Sequence, residues 1–200
     1  MGRKVMVQNL LIVLVALSLL VGAVLLWWTG RESPPSPSLA ELQTRILPSE
    51  GQATAYGIPL SWDNVQRFAD WYYEVHLSPQ EERVLWEALH SVPTPCCDDT
   101  RLTRCCCEEG GLICNLVRSA RGLAAWLIHI KGFNPEEVRA AVEEWLRFVH
   151  PGYYLAQELR RLGQDHAAYG LATQGACYRG ACEEGLRAGG CGGMGSRVRL

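Results

Sequence analysis

The sequence predicts an all-α protein: a single N-terminal transmembrane helix, a small extracytoplasmic helical domain with a Cys-rich loop, and an irregular Gly/Cys-rich C-terminal segment. Three observations predict it. Residues 10–28 read LLIVLVALSLLVGAVLLWW and carry no charge. Farther on, apolar residues recur at steps of three and four, the period of a helix buried along one side. The last 38 residues hold ten of the twenty glycines, a composition with a large ordering entropy and little to bury.

The N-terminal run is read as a signal anchor over residues 10–28. At about 1.5 Å per residue it spans roughly 28 Å, the thickness of a bilayer core. A cleaved signal peptide is the alternative, but its apolar core is usually only about 7–15 residues and ends at a small-x-small site, which is lacking here. Arg3 and Lys4 precede the run, whereas Arg31 beyond it is offset by Glu32. The positive-inside bias puts residues 1–9 in the cytoplasm and everything after Gly30 outside the cell membrane. Trp27 and Trp28 suit the outer interface. The partner implied is the lipid bilayer.

Residues 29–58 read as a linker. Glu32–Ser38, ESPPSPS, is a Pro/Ser tether, residues 39–47 fit a short helix, and residues 48–57 are too small and polar to assign. The helical Cys-rich domain is expected over 59–162. Ser61 is placed to cap its first helix, whose apolar side collects Val65, Phe68, Ala69 and Tyr72. Ser78-Pro79-Gln80-Glu81 is a capping box with Pro at the first helical position. It opens a helix to about His90 with Val84, Leu85 and Leu89 on its buried side. The longest helix runs from Leu112 to Lys131, with Ile113, Leu116, Val117, Ala120, Ala124, Leu127 and Ile128 in register and Gly132 to end it. Asn134-Pro135-Glu136-Glu137 starts another, striped by Val138, Ala141, Val142, Trp145, Leu146 and Val149 and closed by Pro151. Tyr153–Leu162 adds a short amphipathic helix. Trp62, Trp71, Trp86, Trp126 and Trp145 are core candidates. Residues 163–200 form the Gly/Cys-rich tail.

Charge and motifs exclude several functions. Beyond the anchor there are 17 basic and 21 acidic residues, a balance of −4, which gives no basic stripe for nucleic acid. No Gly-rich phosphate loop, Ser/His/Asp set or carboxylate pair placed for acid–base work is present, so the chain reads as a binding protein and not an enzyme.

What it binds is suggested by residues 93–115, PTPCCDDTRLTRCCCEEGGLICN. Cys96, Cys97, Cys105, Cys106, Cys107 and Cys114 are six of the nine cysteines, too crowded for the single small hydrophobe that a structural Cys usually is. Thiolates select soft ions, Cu(I) before Zn here. Adjacent cysteines point apart on an extended chain, so CC and CCC runs suit a polynuclear cluster better than one tetrahedral ion. The paired C-x-x-C knuckles of a zinc ribbon are absent. Cys114 enters the long helix, where the positive end of the dipole favours the thiolate. Two alternatives stand beside metal binding: a disulfide-stapled structural or interaction domain, favoured by the oxidising compartment, and a thiol-redox protein. In the tail, Cys177 and Cys182 read as a disulfide, with Cys191 and Met194 as auxiliary soft ligands. His90 is a further auxiliary candidate, His129 reads as a helix-face residue and His150 as a helix terminus.

These residues also carry a resemblance. Pro95-Cys96-Cys97, Ile113-Cys114, the run from Gly132 to Arg139 and the lead-in WEALHSVPTP resemble the bacterial membrane-anchored proteins with a PCYCGC motif, over about Glu81–Arg147. CC and CCC stand where that motif alternates its cysteines. The family has no assigned function, and the resemblance implies an extracytoplasmic Cys-rich domain that binds metal and no more. The metal reading itself, apart from the resemblance, leaves room for a membrane or periplasmic metal-handling partner.

Overall fold

In the computed structural model of the chain the described residues are 37–95, 101–104 and 113–171, with Ser18, Leu20 and Val21 in helical conformation. They form six α-helices and one 3-10 helix, His166–Tyr169, with no strand among them. The all-α class holds. The rest of the expected membrane span, the Pro/Ser tether up to residue 36 and the tail from 172 lie outside the described residues. Among the described residues no helix is long and apolar enough to cross a membrane.

The first helix, α1 (Leu39–Ile46), is capped by Ser38, whose hydroxyl accepts from the Glu41 amide while the Glu41 carboxylate accepts from the Ser38 amide. Its compact unit begins at Ser38, earlier than the expected boundary near Pro59. The reason lies in packing: Leu42 is fully buried against Leu155 and Leu159. Residues 48–60 are likewise tied down, with the Gly51 amide donating to the Leu60 carbonyl at 2.7 Å and the Leu60 amide to Gln52 at 2.9 Å. One buried leucine in an eight-residue helix makes no periodic stripe, so the sequence pattern could not reveal it.

α2 (Asn64–Glu74) begins later than a Ser61 cap requires. Its N-cap is Asp63, with no side-chain cap bond, and the Ser61 hydroxyl accepts from the Asp63 amide instead. α3 (Pro79–Leu89) and α5 (Pro135–Val149) both open on the expected capping boxes, at Ser78 and Asn134, with proline in the first turn. Between them α4 (Asn115–Lys131) ends at Gly132, whose φ of 67° is the left-handed stop that glycine adopts without a Cβ penalty. His150 ends α5 and precedes α6 (Pro151–Arg161).

α4 is the centre of the bundle, packed by α2, α3 and α5, while α6 lies on α5 and α1. The approach of α2 depends on Gly122. A Cβ there would lie 1.9 Å from the Phe68 carbonyl oxygen and 2.7 Å from the Tyr72 amide nitrogen, so only glycine lets the two backbones meet. Trp145 of α5 is fully buried; its indole N–H donates to the Ser119 hydroxyl at 3.0 Å, and its ring meets Phe68 edge-on at 4.7 Å. The other tryptophans differ. Trp71 and Trp126 are half-buried and stack at 4.6 Å, but Trp86 is 56% exposed, which removes it from the core.

Candidate functional site

The Cys-rich stretch is held to the bundle at three described places. Val92 is buried and its carbonyl accepts from the Leu102 amide at 2.9 Å. Leu102 is fully buried and its carbonyl accepts from Arg121 Nε of α4 at 2.7 Å. Ile113 and Cys114 then lead into α4. Cys96, Cys97, Cys105, Cys106 and Cys107 lie outside the described residues, as do Cys177, Cys182, Cys191 and Met194. Of the predicted ligands the structure thus describes Cys114 and His90. Among the described residues no three His, Cys, Asp or Glu side chains gather as a metal cage.

Cys114 is the N-cap of α4, with extended backbone and 1% exposure. Sequence and structure agree on its place at the helix start, where the first amides have no carbonyl partner within the helix. Its surroundings are more polar than a core site. Asn115 and Arg118, in the first turn, are each only 3% exposed. One guanidinium nitrogen of Arg118 donates to the Ile113 carbonyl at 3.1 Å, which folds the group back over the helix start, and its Cζ lies 5.4 Å from the centroid of the Tyr73 ring. Yet Arg118 Nε and Asn115 Nδ2 are buried without a hydrogen-bond partner. No carboxylate among the described residues pairs with Arg118. Thr94, buried just before the first cysteine pair, has an unpartnered hydroxyl as well.

His150 joins this end of α4 from the far end of α5. Only Gly132–Asn134 separates the two helices, so they run antiparallel, and the Trp145–Ser119 bond sets their register. Five residues on from Trp145 is His150, and five back from Ser119 is Cys114; at about 1.5 Å per residue the two stand level. The ring is half-buried and its Nδ1 has no hydrogen-bond partner on another residue. Burial holds the imidazole below its ordinary pKa, while its own backbone and the nearby Cys114 pull the other way. The sequence reading placed His150 at a helix terminus and gave no sign that it lies near Cys114. The counter-signal was available only as a distance along the hairpin: Cys114 and His150 are equally far from Gly132.

The other histidines are placed elsewhere. His90 stacks on Trp86 at 4.4 Å, with Nδ1 3.0 Å from the Glu87 carbonyl oxygen. His129 is exposed and pairs with Glu81 at 3.0 Å. A cleft of about 680 Å³ beside α3, lined by Tyr72, Tyr73, His76, Trp86, Thr103 and Arg121 among others, reaches the same stretch through Thr103.

These residues define a helical domain whose central helix begins on a buried thiol among buried polar groups without partners. The chain matches no known family model, no curated protein and no solved structure.

Proposed function

We propose that the protein is a membrane-anchored, extracytoplasmic binder of soft metal, Cu(I) before Zn, with Cys96, Cys97, Cys105, Cys106, Cys107 and Cys114 as its thiolates. It handles metal as cargo and catalyses no reaction. The observation that carries this reading is Cys114: a cysteine at the N-cap of a 17-residue helix, where the dipole favours thiolate, directly after the cysteine-dense loop. Buried at 1% exposure, it suits a ligand closed off from solvent better than a redox nucleophile, which needs access. The uncharged run at 10–28 and the flank of Arg3 and Lys4 support the anchor and its orientation.

The test is metal content with thiol titration on the full-length chain purified anaerobically, beside a variant with Cys105, Cys106 and Cys107 all changed to Ser. On the metal reading, Cu(I) or Zn per chain falls sharply in the variant, because a hydroxyl is a hard and poorly ionised ligand. Wild-type uptake by the variant removes these three from the site. Little metal and few thiols in the wild type, with new thiols released in the variant, would establish the disulfide-stapled domain instead.

A further inference from the structure

The first turn of α4 collects hydrogen-bond donors that meet no acceptor. The Arg118 amide is the first in the helix to reach a carbonyl, that of Cys114 at 2.9 Å, and Cys114 offers no side-chain cap. The amides of Asn115, Leu116 and Val117 therefore face the helix end without a partner inside the helix, on residues no more than 3% exposed. Two side-chain donors join them. Asn115 opens the helix, and helical side chains lean toward the N-terminus; its Nδ2 is buried without a partner. Arg118 stands three residues on and so shares a face with Asn115. Its bond to the Ile113 carbonyl at 3.1 Å draws the guanidinium back past the helix end, and Nε of the same planar group is buried without a partner. A guanidinium 3% exposed, with no carboxylate paired to it among the described residues, is costly. Each unpaired buried donor adds to that cost. One bound anion meets all of these needs, at the positive end of a 17-residue helix.

We propose that the first turn of α4 binds a small tetrahedral oxyanion of the phosphate class, held by Arg118 Nε, Asn115 Nδ2 and the helix-end amides. An ion with several acceptor oxygens suits donors that come from a guanidinium, a side-chain amide and the backbone. Burial of all of them favours a free ion over a phosphate carried on a larger body. No cysteine sulfur takes part, so the site is independent of the metal reading.

Thermal melts of the reduced, metal-free full-length chain in inorganic phosphate test it, beside sodium chloride at equal ionic strength. The Tm should rise with phosphate and saturate. Arg118→Met should weaken phosphate binding by about 10–100-fold, as loss of a charge-assisted hydrogen bond does, whereas Arg160→Met, exposed on α6, should leave it unchanged. Asn115→Asp puts a carboxylate in the same turn. It should raise the Tm without phosphate and abolish the response to it, which keeps the test decisive where Arg118→Met fails to fold. A wild-type chain with no response overturns the site. So does a rise of equal size in Arg118→Met, the result of general salt exclusion from the surface. An Asn115→Asp chain that keeps the wild-type response overturns the role of Asn115. If Cys114→Ser responds to phosphate and the wild type does not, the Cys114 thiolate is the anion that Arg118 meets, and an external ion is ruled out. Phenyl phosphate binding as tightly as inorganic phosphate overturns the free-ion assignment.

Discussion

Trp145 joins α5 to both α4 and α2 through one side chain. It is fully buried, bonds Ser119 through its indole N–H and meets Phe68 edge-on. Truncation to alanine removes a large apolar group and leaves a cavity, which costs about 3–5 kcal/mol for an aromatic. Trp145→Ala is therefore expected to lower the denaturation midpoint sharply, as read by chemical denaturation of the full chain. Trp86→Ala is the control: with one face open to solvent it should cost well under about 1 kcal/mol. Both tryptophans sit at helical spacing in the sequence. Their different fates depend on which side of α3 and α5 meets α4, and that is decided by the partner helix.

The contact between α2 and α4 depends on a missing side chain. Gly122→Ala would drive a methyl group into the Phe68 carbonyl, and backbone cannot swing aside as a flexible side chain can. Overpacking of this kind costs typically about 1–3 kcal/mol, more than the helix-propensity gain of about 1 kcal/mol from glycine to alanine. Gly122→Ala is expected to destabilise, and thermal unfolding checks the sign. A second prediction concerns α3. Bonds from the Ser78 hydroxyl and amide, with help from His129, hold the Glu81 carboxyl down at about 2. A carboxylate depressed in the folded state adds stability above its ordinary value of 4.5, and that stability is lost as pH falls from 4.5 toward 2. Denaturation midpoints measured across that window should decline, and Glu81→Gln should flatten that part of the decline.

For the whole molecule, the orientation proposed from Arg3, Lys4 and the run at 10–28 makes a direct forecast. A tag after Leu200 should be cut by protease added to intact spheroplasts, and a tag at Met1 should survive until lysis. Protection of the C-terminal tag would reverse the topology. The tertiary fold adds a constraint on the domain: the compact unit begins at Ser38, so a truncation starting at Pro59 removes Leu42 from Leu155 and Leu159. Such a truncation should melt at a lower Tm than one starting at Pro37.

Sequence by itself determined the helical class, the capping boxes at Ser78 and Asn134, the stop at Gly132 and the place of Cys114 at a helix start. All of these are local: a cap, a glycine at positive φ or an apolar stripe is written in residues three or four apart. It also marked residues 93–115 by composition alone. Only the tertiary structure decided that α1 belongs to the fold, that Gly122 is a contact and not a flaw, and that Arg118 Nε and Asn115 Nδ2 are buried without partners. It alone set His150 level with Cys114, because an antiparallel pair brings together residues 36 apart, and no local pattern records the register of two helices.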